Sequence, residues 1–181
     1  MKNICIGLFE GETLPESLAA FKDVKLDLEF GKITTIYTLN QLDCEKIVVV
    51  GLGEGKKNIK EAFSKVEADD YFVYVNENTA YAAGFGLVYG AYSYKETKVY
   101  DFESDGFTAE FEKGKTVASI VNHAREMSDM PANFLTPDHL VDEAKMVSEK
   151  YGMEMEVLNH DDLDQLGAGA LLACLLYTSD A

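Results

Sequence analysis

The run Lys46-Ile-Val-Val-Val50, ended by Gly51-Leu-Gly53-Glu-Gly55, restricts the fold more than any other stretch. Four consecutive apolar residues in a strand send side chains to both faces, so such a strand needs cover above and below. The glycines that follow permit a sharp turn out of it. A strand of this kind belongs in a layered structure with helices packed on a sheet.

The rest of the chain supplies such layers. Asn3–Phe9 reads as an opening buried strand and Tyr71–Val75 as a later one. Val24, Leu26, Leu28 and Phe30 alternate with Lys25, Asp27 and Glu29, a period of two that predicts a strand. Gly31-Lys32 then turns the chain into the β-rich run Ile33–Leu39. Thr13-Leu-Pro-Glu16 has the form of a capping box, which predicts a short helix to about Lys22 with Leu14, Leu18 and Phe21 inward. Ile59, Ala62, Phe63 and Val66 stand at helical spacing.

Asn78–Tyr94 is uncharged and approaches membrane-span length, but it contains Asn78, Thr79 and Ser93 and is rich in Gly, Ala and Tyr. It reads as a helix buried against a sheet. Tyr81, Phe85, Val88 and Tyr92 line one stripe, and Ala83, Gly86 and Gly90 another. Small residues there allow a close helix neighbour, which offsets their poor propensity.

Tyr94–Gly106 is polar and reads as a surface connection. A helix is predicted from about Ala109 to Ser128, with Val117, Ile120, Val121 and Ala124 as its apolar face. Thr136 can cap a further helix whose first turn accepts Pro137. That helix carries Leu140, Ala144, Val147 and Tyr151 on one face and stops at Gly152. Met153–Leu158 reads as a strand, and Asp161, Asp162 and Asp164 open a short helix ending at Gly167 or Gly169. The expected class is α/β, with a mixed, largely parallel sheet flanked by helices.

Charge narrows the function. Lys+Arg 16 against Asp+Glu 32 gives −16, which argues against a nucleic-acid groove or an anionic-membrane surface, since both need clustered cations. Cys5, Cys44 and Cys174 form no C-x-x-C pair and no even framework, which suits a reducing cytoplasm. Met1-Lys2-Asn3-Ile4 lacks the layout of a signal peptide.

Motifs that carry chemistry are sparse. Gly51-Leu-Gly53-Glu-Gly55 follows a strand, yet the dinucleotide fingerprint wants glycine where Lys56 stands, and no phosphate-loop Gly-Lys-Ser/Thr follows. Its backbone N–H groups could still cradle a phosphate or nucleotide with no side-chain motif, which would make the chain a stand-alone binding module. His123, His139 and His160 lie on separate predicted elements with no second His or Cys at metal-ligand spacing. Asp161, Asp162 and Asp164 suit a helix N-terminus on dipole grounds alone. No G-x-S-x-G elbow and no Cys/His pair is present.

The informative stretch is Ala124-Arg125-Glu-Met-Ser-Asp-Met-Pro131-Ala132-Asn133-Phe-Leu-Thr136-Pro137, followed by Leu140, Glu143 and Ala144. It resembles the leucine (cytosol) aminopeptidase pattern R-x-L-x-N-x-P-x-N-x-x-T-P, matching at Pro131, Asn133, Thr136 and Pro137 and departing at Ser128 and Asp129. Tyr151–Val157 and Leu163–Ala173 look like that family's next strand and short helix, and Val48–Gly53 and Gly86–Lys95 resemble its N-terminal domain more loosely.

The resemblance implies an N-terminal α/β domain over 1–104, a connecting helix over 105–130 and the start of an incomplete α/β catalytic domain over 131–173. It further implies a full-length hydrolase that removes N-terminal residues, often Leu, from peptides, using two divalent metal ions (Zn or Mn) within a hexamer. Two cations of that sort polarise the scissile carbonyl and activate a bridging water. The family's metal motifs D-M-x-G-A and N-T-D-A-E-G-R do not occur, and Asn78-Thr79-Ala80 is only a fragment of the second. No catalytic, cofactor or metal residue therefore transfers to a position of this chain, and the 181 residues alone are expected to be inactive. Residues 174–181, Cys-Leu-Leu-Tyr-Thr-Ser-Asp-Ala, read like one frame of a transposase-type sequencing adapter, so a non-native tail is expected where the resemblance stops.

Overall fold

The structure is a computed structural model that describes residues 2–55, 58–94 and 98–176, with the side chains of 174–176 left aside. Lys56, Lys95 and the end of the expected tail, 177–181, lie outside the described residues. The chain divides into two compact units, Met1–Arg125 and Glu126–Ala181.

The first unit is built on a five-stranded sheet. Its strands are β1 (Asn3–Leu8), β2 (Ile33–Tyr37), β3 (Lys46–Gly51), β4 (Tyr71–Tyr74) and β5 (Phe102–Ser104). Their order is β2-β3-β1-β4-β5. β1 lies parallel to both β3 and β4, β5 is parallel to β4, and β2 alone runs antiparallel, against β3. The class is α/β with a mixed, mostly parallel sheet, as the alternation of strands and helices predicts.

The apolar run of β3 finds cover on both faces. Val48 and Val50 pack with Cys5, Tyr71 and Val73 beneath α1 (Ile59–Phe63) and α2 (Ala80–Gly90), through Ala62, Phe63, Ala83 and Leu87. Ile47 and Val49 pack on the opposite face with Ile6, Leu8 and Ile36, beneath Leu18 and Phe21 of a 3-10 helix, Glu16–Phe21. Burying such side chains stabilises by about 1.5–3 kcal/mol each, so this strand anchors both layers.

Small residues set how close the helices come. A Cβ on Gly86 would stand 2.5 Å from both the Lys60 carbonyl oxygen and the Phe63 Cβ of α1. On its other side α2 meets α3 (Thr108–Asp129): a Cβ on Gly84 would run into the Phe111 carbonyl, and one on Gly114 into that of Tyr81. The buried positions of α2 are accordingly Ala80, Ala82, Ala83, Gly84, Gly86 and Leu87, while the aromatic stripe is only half-buried. Asn122 and Arg125 of α3 donate to the last-turn carbonyls of α2, on Val88 (2.8 Å) and Tyr89 (3.0 Å). Carbonyls at a helix C-terminus have no intrahelical partner, and here a neighbouring helix supplies one.

Five expectations need correction. The Thr13–Glu16 capping box does not form; Pro15 occupies the N-cap with no side-chain bond, and the Glu12 carboxylate instead accepts from Phe9 N–H. Residues 24–30 are not a strand. Leu26, Leu28 and Phe30 do pack on the core, but the segment lies across the end of β3, where Gly53 N–H reaches the Leu28 carbonyl, and it turns at Gly31 (φ +76°). The predicted connection 94–106 contains β5; its Phe102 is buried and stacks on Tyr71, a single inward side chain that leaves no readable period. The buried face of α3 is Phe111, Gly114 and Ala118, whereas Ile120 and Ala124 are exposed, because Gly114 lets that face approach α2. Residues 153–158 run without strand pairing.

The second unit is helical. In α4 (Pro137–Tyr151) Thr136 caps by accepting from His139 N–H at 3.3 Å, and Gly152 ends the helix at φ +64°. In α5 (His160–Gln165) Asn159 and Asp162 form a reciprocal capping box, and Asp161 and Asp162 sit in the first turn. The last helix is α6 (Gly169–Leu176). No helix among the described residues is long and apolar enough to cross a membrane.

Candidate functional site

The strand order locates one cleft of the first unit. After β1 the chain passes to β2 and then β3 on one side; after β4 it passes to β5 on the other. Where connections diverge, the carboxyl ends of adjacent parallel strands leave a crevice, the usual ligand position in open α/β sheets. Here that crevice is a cleft of about 490 Å³ between the ends of β1 and β4, walled by Gly7, Glu12, Thr13, Asn76, Thr79 and Asp105 among others.

Its polar side chains hold the walls themselves. Asp105 accepts from Val75 N–H at 2.9 Å and Glu12 from Phe9 N–H at 2.8 Å. Asn76 Oδ1 accepts from the N–H groups of Asn78 and Thr79, and Thr79 Oγ1 accepts from Asn76 N–H. This loop shapes the start of α2. Asp105 and Asn76 escape a motif search because each stands alone in sequence; a polar residue just after a strand is their only signal.

The Gly51–Gly55 turn is closed. Gly51 N–H donates to the Lys32 carbonyl, Leu52 N–H to Leu8 and Gly53 N–H to Leu28, at 2.8–3.0 Å. Gly53 faces Phe30 and Gly55 faces Phe9. The amides of Gly51, Leu52 and Gly53 thus already have partners, and α1 beyond the turn is only five residues long. The stretch forms a tight turn that seats the 28–31 segment.

At the opposite ends of the strands lies a charged cluster. Asn3 donates to Asp69 and accepts from Lys46 N–H, while Lys46 Nζ stands 2.9 Å from Asp69. Burial alone would raise the Asp69 carboxyl, but the bonds from Lys46, Asp70 N–H and Asn3 outweigh it and hold it below the usual carboxylate range. Burial pushes the Cys5 thiol up to about 12 and also raises Cys44, with help from Asp43. Both thiols are buried, and thiols so shifted are poor nucleophiles.

The histidines remain apart: His123 is exposed on α3, His139 sits in the first turn of α4, and His160 opens α5 with its ring 3.8 Å from Asp161. Among the described residues no three His, Cys, Asp or Glu side chains converge to hold a metal ion. The described residues do not fit a two-cation centre.

Comparison with known proteins shows what the chain is similar to. Residues 122–175 match the cytosol aminopeptidase family, catalytic domain. A probable cytosol aminopeptidase of Exiguobacterium sibiricum is 38% identical over 99 residues, 51% of this chain and 21% of that protein. Those of Aromatoleum aromaticum and Alkaliphilus metalliredigens are 23% and 25% identical over 94% and 80% of this chain. Over these stretches the chain is similar to the cytosol aminopeptidase family. It spans 44% and 36% of the length of these last two relatives. The fold is shared with a solved structure described as the bottromycin maturation enzyme BotP in complex with Mn, at a TM-score of 0.69 and 18% identity over 92% of this chain and 40% of that one. The family match begins inside α3 and takes in the Pro131–Pro137 stretch, the motif on which the resemblance rests.

Proposed function

We propose that this chain is the front portion of a metallo-aminopeptidase. At full length it hydrolyses the N-terminal peptide bond of peptides, often after Leu, with two divalent cations, Zn or Mn. In this reading residues 1–104 form an N-terminal domain, 105–130 a connecting helix and 131–173 the opening of the catalytic domain. The active assembly is a cytoplasmic hexamer. The observation that carries the reading is the match of 122–175 to the family's catalytic domain. The relatives' greater length supports it, since the donor groups that two cations need have sequence in which to lie.

The 181 residues alone are proposed to be inactive. Two polypeptides test this: the 181-residue chain, and the product of the same gene read on past codon 173. Release of Leu from leucine amide is measured with Mn or Zn added and after chelation. Metal-dependent release by the longer product only is expected. Release by the 181-residue chain, or none by a folded longer product, refutes the reading.

A further inference from the structure

The two edges of the five-stranded sheet are guarded unequally. β5 is three residues long and carries Glu103, with Asp101 and Asp105 at its ends; Lys2 bridges Asp101 and Glu103 at 2.7 and 2.6 Å. Brevity and charge of that kind keep an edge from pairing with another chain. β2 is not guarded in this way. Residues 33–39, Ile-Thr-Thr-Ile-Tyr-Thr-Leu, hold no proline and no charge, in a chain with 16 Lys+Arg and 32 Asp+Glu. The register of β2 to β3 runs without a bulge and fixes which groups face outward. Thr38 N–H donates to the Glu45 carbonyl and Gly51 N–H to that of Lys32, so the even-numbered residues bond inward to β3. The N–H and C=O groups of Ile33, Thr35 and Tyr37 therefore point away from the sheet, and none of them has a partner among the described residues. Thr35 is exposed beside them, and so is Tyr37, at 61%.

We propose that β2 is a docking edge for a second copy of this chain, the two strands pairing antiparallel about a two-fold axis at Thr35. The strand is complementary to itself. With Thr35 opposite Thr35 of the other copy, Ile33 falls opposite Tyr37 and Tyr37 opposite Ile33. Every outward N–H then meets an outward C=O, and no group on either edge is left over. Side chains agree with the backbone. Each exposed Tyr37 ring covers the half-buried Ile33 of the other copy, and the two threonines meet at the centre. Aromatic–β-branched and Thr–Thr pairs both stabilise a ladder. Charge also selects this occupant. A chain of net charge −16 repels its own copies over most of its surface, but here the contact is neutral, and Lys32 beside it falls opposite Thr38. An unrelated extended peptide could match the backbone ladder, but not the side-chain pairing that follows from the order of residues about Thr35. The contact lies wholly in the first unit and does not depend on the peptidase reading.

Sedimentation velocity on the 181-residue chain tests the proposal, at ~1 to ~500 μM protein and in about 0.3 M salt, which screens the net charge. A reversible monomer–dimer equilibrium is expected. Thr35→Lys and Thr35→Glu place like charges across the axis at an exposed position, so the fold is kept, as circular dichroism verifies. Each variant alone should self-associate at least ~10-fold more weakly, and an equal mixture of the two should recover the affinity, because Lys and Glu then meet. Hydrogen exchange read residue by residue by NMR should show the Thr35 and Tyr37 amides slowing as concentration rises, while those of Thr34 and Ile36, which face β3, stay as they were. A chain that is monomeric throughout overturns the proposal. So does a dimer that both variants leave intact, which would lie on another face, or a mixture no stronger than either variant. Protection of the Thr35 amide in the monomer gives the edge to another segment of the same chain, and equal protection on adding unfolded casein makes it a general peptide edge; both outcomes overturn the proposal.

Discussion

Gly86→Ala isolates what the small residues of α2 do. In a free helix the change would stabilise by about 1 kcal/mol, because alanine loses less backbone entropy. In this protein the new methyl would lie 2.5 Å from the Lys60 carbonyl oxygen, 2.5 Å from the Phe63 Cβ and 3.1 Å from Ser64 N. Carbon contacts settle at about 3.5–4.0 Å, so α1 and α2 must part by roughly 1 Å. Neither neighbour is a flexible tip that a rotamer change could remove. The cost therefore belongs at the upper end of the range for overpacking, about 3 kcal/mol, and the net loss is about 2 kcal/mol. Urea unfolding followed by circular dichroism measures it, and a thermal scan should show a midpoint lowered by roughly 4–8 °C. Gly90→Ala presses on the same helix, against the Ser64 backbone, so the Gly86/Gly90 double variant should lose less than the two single losses together. Gly84→Ala meets α3 instead and should add to Gly86→Ala within about 0.5 kcal/mol. A Gly86→Ala protein more stable than the parent would refute the close approach and the packing built on it.

Phe63→Ala, at a position with no exposed surface, should destabilise by about 3–5 kcal/mol in the same urea experiment. Because the folded Asp69 carboxyl is held below its unfolded value, its contribution is present above about pH 4 and disappears as the pH falls through the lower folded value. Asp69→Asn should therefore flatten the acid limb of the stability profile; an unchanged limb would show that the Lys46–Asn3–Asp69 cluster is not coupled to folding. Cys5 and Cys44 should resist iodoacetamide at pH 8 in the native chain and react in urea, with peptide mapping as the readout; native labelling of Cys5 would contradict its burial. Thr136→Ala should cost α4 about 1 kcal/mol and speed exchange of the His139 amide, which loses its acceptor.

Much of this was legible because it is local. The apolar run 47–50 announces a strand covered on both faces, Thr136-Pro137 and Gly152 bracket a helix through capping chemistry, and the Pro131–Pro137 motif carries the likeness to cytosol aminopeptidases. These signals depend on neighbours within a few residues, where period and propensity act. Other features depend on what the chain meets. Residues 24–30 and 153–158 alternate alike, yet neither becomes a strand, because a ladder needs an open edge beside it as well as a pattern. The first lies across the end of β3 and the second has no edge among the described residues. Only the fold could give the Gly51, Leu52 and Gly53 amides their partners on Lys32, Leu8 and Leu28, residues that sequence alone does not bring together. The strand order likewise put the cleft between β1 and β4, beside the Gly51–Gly55 turn and not within it, since the divergence of connections exists only once the sheet is assembled. Sequence specifies which segments can be strands and helices; which of them find partners is settled by long-range hydrogen bonds and burial that no short window contains.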